Sequence, residues 1–308
     1  MRRLAAAVLA LAAASACAPT SHPSRPSDLG VVRRAGDLLA VIDEPGPVEL
    51  ETVVSAEWAV ELGGLLNLDH PRARAAGRVN GEEPIHVYFH ALRHPTRGLF
   101  VVDTGVERAM RDRPDEAAFR GVVASQMHME KMKVRAALGD WLAARGEPLR
   151  GVLLTHLHPD HLTGLADAPA GTPVYVGPGD ASERGLLQIV LRPNVDRALA
   201  GKPPLGVWPF APDPKDAFEG VLDVFGDGTV WALWVPGHTP GSTAYLVRTP
   251  RGPVLLAGDA CHTRWGWEND VEPGTFSSDR PRSAASLARL RRLAADHPAL
   301  SVRLGHQP

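Results

Sequence analysis

Cysteine is nearly absent from this sequence: its 308 residues include two, Cys17 and Cys261. A disulfide framework is therefore excluded as the source of stability, and the chain must bury a core of its own. With 44% hydrophobic and 22% charged residues, it has the composition and the length to do so. An excess of either charge is also missing, since the formal net charge is −2. The nearest basic cluster, Arg289, Arg291 and Arg292, falls on an amphipathic helical pattern and reads as a solvated face. No basic surface for nucleic acid is implied. No apolar run reaches the roughly 20 residues of a membrane-spanning helix. The Gly-x-Ser-x-Gly elbow of serine hydrolases does not occur, which removes the commonest esterase mechanism. Internal repeats and long low-complexity tracts are absent as well.

The first residues read as an export signal. Arg2 and Arg3 precede the apolar run Leu4 to Ala14, and Ser15-Ala16-Cys17 offers a small-residue cleavage site. The pattern resembles a bacterial lipoprotein signal, whose Cys becomes the acylated new N-terminus, although Ala14 stands where Leu is usual. The expected organisation is a signal peptide over 1–16, a flexible Pro/Ser-rich tether over 17–30, and one catalytic domain over 31–308. The expected location is the bacterial envelope, on the periplasmic or outer-membrane face, with contact to the membrane through Cys17. Plain secretion is the alternative. Cys261, left without a partner, reads as a small buried residue.

Beyond residue 31 strands and helices alternate. Val48 to Val54, Ile85 to Leu92 and Leu99 to Val102 read as strands, with a turn at Pro95 to Gly98. Val134, Leu138, Trp141 and Leu142 share a helical face that ends at Gly146. Val152 to Leu154 is a buried-type strand. Hairpins are expected around Gly226-Asp227-Gly228 and Pro250-Arg251-Gly252. A helix carrying Leu287, Leu290 and Leu293 follows, then a short strand at Val302 to Leu304.

The chemistry concentrates in His156-Leu157-His158-Pro159-Asp160-His161, directly after a buried strand. Three imidazoles and a carboxylate at this spacing suit zinc and related transition metals. The segment resembles the His-x-His-x-Asp-His signature of the metallo-β-lactamase superfamily, and further motifs follow in order. Asp103 in Val-Val-Asp-Thr-Gly, His238 in Pro-Gly-His-Thr-Pro-Gly, Asp259 in Ala-Gly-Asp-Ala and His306 in Leu-Gly-His match them over residues 48 to 308.

The resemblance implies an α/β fold, a four-layer αββα sandwich, and a binuclear centre. His156, His158 and His238 would hold one ion. Asp160, His161 and His306 would hold the other, with Asp259 bridging and Asp103 structural beside them. Zinc is the expected metal, although the same ligands accept iron, manganese or cobalt. The implied reaction is attack by a bridging hydroxide on a small-molecule ester or lactone, with Asp259 relaying a proton.

Within the superfamily a close resemblance is to the N-acyl-homoserine-lactone lactonases and their relatives. It runs through Gly258-Asp259-Ala260, Glu268-Asn269, Pro273-Gly274 and Leu304-Gly305-His306, and a helix from Met129 to Ala144 would border the substrate. Those enzymes usually carry Tyr three residues after the bridging Asp; His262 stands there, and an imidazole could donate the hydrogen bond or act as general acid. Trp265 and Trp267 are candidate walls of an acyl pocket, as are Trp208 and Phe210, whereas Met127, Met129 and Met132 read as helix packing. The rival readings are other hydrolases of the fold (aryl ester, phosphotriester, thioester or β-lactam), a mononuclear iron persulfide-type dioxygenase, and a non-catalytic binding protein.

Overall fold

A computed structural model describes residues 18–184, 186–213 and 215–308. The expected signal peptide and Cys17 lie outside the described residues. Two sheets face one another. The larger has eight strands in the spatial order Ser24–Pro26, Leu205–Val207, Val174–Val176, Leu149–Leu153, Gly98–Val102, Glu82–His94, Glu49–Glu61 and Lys133–Val134. The smaller runs Ser301–Arg303, Gly252–Leu256, Thr243–Thr249, Val230–Trp234, Val221–Asp223 and Val31–Arg33. Both expected hairpins form, as antiparallel pairs of Val221–Asp223 with Val230–Trp234 and of Thr243–Thr249 with Gly252–Leu256.

Strand alternation makes the layers. Phe100, Val102, Leu153 and Tyr175 point from the larger sheet to Trp208, Leu222, Ala232, Tyr245 and Val247, and this central core joins the sheets. Their neighbours point outward. Val101, Val152 and Leu154 meet Leu138, Leu191 and Val195 of the helices Leu138–Arg145 and Leu186–Ala198. On the far side Trp231, Leu233 and Leu246 meet Leu287, Leu290 and Leu293 of helix Arg280–Asp296. That helix starts where Asp279 caps the amide of Arg282, with Pro281 in its first turn. The result is the expected αββα order. Each fully buried Leu, Val or Phe contributes about 1.5–3 kcal/mol. No helix among the described residues is long and apolar enough to cross a membrane.

Two expectations fail. The tether over residues 18–30 is docked on the body. Ala18 is buried, with its carbonyl on Arg192 Nε, and Asp196 accepts from Thr20 and Ser21. Ser24–Pro26 pairs in parallel with Leu205–Val207, and Gly30 N donates to Val224 O. Proline biases the segment to extended backbone, and at a sheet edge its missing N–H costs little. The helix expected from Met129 to Ala144 is broken. Met129–Lys131 is a single 3-10 turn, Lys133–Val134 pairs with Ala56 and Glu57, and only Leu138–Arg145 is helical, ending at Gly146 (φ 64°). The open edge of Glu49–Glu61 takes up this backbone: Ser55 O accepts from both Arg135 N and Ala136 N.

Candidate metal centre

Every candidate ligand follows the end of a strand, so both sheets aim side chains at one point. The larger sheet supplies Asp103 after Gly98–Val102 and the His156 to His161 segment after Leu149–Leu153. The smaller supplies His238, Asp259 and His306 after Val230–Trp234, Gly252–Leu256 and Ser301–Arg303. Pro159 opens the short helix Pro159–Leu162, which turns Asp160 and His161 inward. Gly305 is required by contact, because a Cβ there would stand 2.2 Å from Asp259 Oδ1.

The donor atoms converge as a metal polyhedron would require. For bonds of about 2.1 Å, neighbouring donors in tetrahedral or octahedral shells lie about 3.0–3.4 Å apart. His238 Nε2 lies 3.2 Å from His156 Nε2 and 2.8 Å from His158 Nδ1. Asp259 Oδ2 lies 3.4 Å from His238 Nε2 and 3.3 Å from both His161 Nε2 and His306 Nε2. Asp160 Oδ2 is 3.3 Å from His306 Nε2 and 3.6 Å from His161 Nε2. These residues form one group of His156, His158 and His238 and a second of Asp160, His161, Asp259 and His306, with Asp259 Oδ2 close to both.

The opposite ring nitrogens are tied down, which leaves lone pairs facing inward. His161 Nδ1–H donates to Asp103 Oδ2 at 2.8 Å, and His306 Nδ1–H donates to His86 O at 2.9 Å. His156 Nδ1 meets the Thr155 hydroxyl at 3.1 Å, and that hydroxyl in turn donates to Asp103. Asp103 itself sits in the left-handed region (φ 56°). Its carboxylate also accepts from Thr155 N, so it anchors the start of the ligand segment as well as a ligand.

Within the cluster, the buried atoms His161 Nε2 and Asp259 Oδ1 make no hydrogen bond with anything in the protein. An orphaned lone pair at the centre of a histidine cluster is what a ligand atom looks like without its cation. Burial pulls His156 and His238 well below the ordinary imidazole range and His158 down to about 4, so these rings are neutral and ready to ligate. His161 behaves oppositely: burial lowers it, but Asp259, Asp103 and Asp160 outweigh burial and hold it well above the usual value. The carboxylates thus call for positive charge, and the residues fit divalent metal ions.

The cluster floors a cavity of 330 Å³. His158, Asp160, His238, Asp259, His262 and His306 form its polar end. Trp58, Val60, Leu65, Ile85 and Met127 make apolar walls, with the exposed Val122, Val190 and Phe276 at its margin. A larger groove of 690 Å³, near Glu51, Arg93 and Arg145, contains none of the cluster histidines; Arg93 pairs with Glu49 and Glu147 there, and Arg145 with Glu51.

The aromatic walls are not those expected. Trp267 turns into the core beneath helix Arg280–Asp296, and Trp265 packs by Leu62 and Leu66 under the Arg78 guanidinium. Trp208 is in the inter-sheet core and Phe210 stacks on Trp234. Trp58 takes the wall position instead, and Met127 lines the cavity rather than only packing a helix. One more apolar residue in a strand carries no signal that would have singled out Trp58. Cys261 is buried and free, its thiol pushed by burial to about 12. His262 is buried within the site, its Nδ1–H donating to Leu65 O at 2.9 Å and its Nε2 3.0 Å from Asp259 Oδ2.

Comparison with known proteins accords with this geometry. Residues 80–306 match the model of the metallo-beta-lactamase superfamily. The N-acyl homoserine lactonase AttM of Agrobacterium fabrum is 32% identical over 233 residues, covering 73% of this chain and 82% of that protein. The structure of a B. thuringiensis AiiA mutant with N-decanoyl-L-homoserine bound at the active site superposes with a TM-score of 0.60 at 19% identity, covering 85% of this chain and 94% of that one. AidC, a dizinc quorum-quenching lactonase, gives 0.53 at 14% identity, with 92% of each chain covered. The motif order, the two-sheet sandwich and the metal-seeking cluster at one end of both sheets have a common explanation: the chain belongs to the metallo-β-lactamase superfamily.

Proposed function

We propose that this protein is a metal-dependent hydrolase that opens lactone rings, with N-acyl homoserine lactones as the first substrate class to test. The observation that carries the reading is the cavity, a polar end made of metal-seeking donors joined to an apolar chamber. A lactone head with an acyl tail has the same polarity profile. Relatedness to the Agrobacterium lactonase supports the choice of ring.

His156, His158 and His238 would hold one ion, Asp160, His161 and His306 the other, and Asp259 both. Such ions, when bound, supply Lewis acidity that lowers the proton affinity of water and polarises an ester carbonyl. The chain's own residues do the rest. Trp58, Leu65, Ile85 and Met127 exclude water from the acyl side and orient the ring towards the cluster. Asp259 accepts the proton of the attacking water and passes it to the ring oxygen as the ester C–O bond breaks, which leaves a carboxylate and an alcohol on one molecule. Asp103 fixes the tautomer of His161. Zinc is the metal favoured by a ligand set rich in imidazole nitrogen. Export and an acyl anchor at Cys17 complete the proposal, supported by the Leu4 to Ala14 run and the Cys that follows it; Cys17→Ser should move the protein from the membrane to the soluble fraction.

Ring opening releases one acid per turnover, so a pH-stat assay on hexanoyl and decanoyl homoserine lactones reads it directly, beside aryl esters and phosphotriesters. Lactone turnover exceeding the other classes is expected. Absence of activity on every lactone, with metal loaded, would overturn the proposal.

A further inference from the structure

His262 occupies a position that the lactonase pattern gives to tyrosine, and its surroundings assign it a different task. The ring is buried, and Leu65 O takes the Nδ1 proton at 2.9 Å. Nε2 points the other way, 3.0 Å from Asp259 Oδ2. An imidazole nitrogen and a carboxylate oxygen this close hold a cation between them, a proton or a metal ion. The distance is also the donor-to-donor edge of a metal shell, matching the 3.3 Å and 3.4 Å separations of His161, His306 and His238 from the same oxygen.

His306 provides an internal comparison. It too gives its Nδ1 proton to a backbone carbonyl, that of His86, and turns Nε2 towards Asp259 Oδ2. The His262 and His306 rings stack with centroids 5.5 Å apart and planes 11° from parallel. The two imidazoles are thus presented to one oxygen by the same device. Moreover His262, His238 and Asp259 place one ligand atom each within 4.8 Å of one another.

We infer that His262 Nε2 is a further metal donor, joining the ion that Asp259 shares with His238. This rests on the metal-dependent reading above. The site then carries six imidazoles, and the tyrosine-like role in gripping the substrate carbonyl is not supplied by this residue. A fifth donor on that ion, after His156, His158, His238 and Asp259, crowds the face on which the ring must sit and strengthens retention of the ion.

Proton NMR of the protein reconstituted with Co²⁺ tests it without reference to turnover. Each cobalt-bound imidazole shows one strongly shifted N–H resonance that disappears in D2O. The expected set is six, from His156, His158, His161, His238, His262 and His306. His262→Phe should remove one while two Co²⁺ remain bound, and should release cobalt to a chelator on the order of tenfold faster. His262→Asn provides a smaller replacement should the phenyl ring disturb folding, and the wild-type spectrum stands without either variant. Five resonances in wild type with two Co²⁺ bound would overturn the inference and leave the metal reading intact. Failure to bind two Co²⁺ would overturn both.

Discussion

Asp103 controls a tautomer, and single-residue chemistry is most testable there. Its carboxylate accepts from Thr155 N and from His161 Nδ1–H. Asn tolerates the left-handed backbone that Asp103 adopts, so Asp103→Asn should keep the turn. The amide can still accept from Thr155 N, but its NH2 then faces His161. The imidazole proton is driven to Nε2, where it blocks ligation. Metal affinity should fall by about 10- to 100-fold, read by chelator competition, with little change in apo-protein stability. An unchanged affinity would remove Asp103 from the metal centre. Glu107, four residues on, offers a separate test. Burial, with a smaller push from Asp167, raises its carboxyl to about 7, against the Ala118 amide and the more distant Arg120 and Arg197. The folded state therefore retains a proton that the unfolded chain has lost between about pH 4.5 and 7, and stability falls as pH rises through that window. Glu107→Gln should match wild type at pH 5 and exceed it at pH 8 by about 2 kcal/mol in urea unfolding. An equal difference at both pH values would show that the effect is packing rather than ionisation.

At the scale of elements, the site depends on how closely two loops approach. Gly177 follows strand Val174–Val176, and a Cβ there would lie 1.7 Å from Gly241 O in the loop that carries His238. The obstacle is backbone, so the loop itself must move. Gly177→Ala should cost about 1–3 kcal/mol and weaken metal binding through His238, whereas Gly36→Ala, with nothing within 4 Å, should be neutral or slightly stabilising. Calorimetry and metal titration of the pair check this, and a harmless Gly177→Ala would mean the loop is freely adjustable. The same scale explains what the sequence could reveal. The metal-seeking residues were legible because each sits in a short local motif at a strand end. The cavity wall was not: Trp58 and Ile85 reach it only because Glu49–Glu61 and Glu82–His94 pair with each other, far from the motifs. Trp265 and Trp267 lie near Asp259 in sequence, but helix Arg264–Asn269 turns both away from the cavity. The Pro/Ser composition of residues 18–30 was read as flexibility because composition does not register an open sheet edge nearby.

Over the whole molecule, the metal centre is a cross-link. His156, His158, Asp160 and His161 come from the larger sheet, and His238, Asp259 and His306 from the smaller. Without ions, the buried carboxylates here are opposed only by raised imidazoles such as His161; with ions, each metal is held by both halves of the sandwich. Occupancy should therefore be a large share of the stability. At free metal a thousandfold above Kd, each site adds about 4 kcal/mol. For a domain of this size that shifts Tm by about 2–4 °C per kcal/mol. Removal of both ions should thus lower Tm by more than about 10 °C, and re-addition should restore it. Hydrogen exchange gives the spatial signature: amides at the ends of Leu149–Leu153 and Gly252–Leu256 should lose protection together on chelation, because the tie between them is gone. The distant edge strand Ser24–Pro26 should retain its protection until global unfolding. A Tm that stays within about 2 °C after verified metal loss would show that the inter-sheet core of Phe100, Leu153, Trp208 and Tyr245 holds the sandwich closed without the ions.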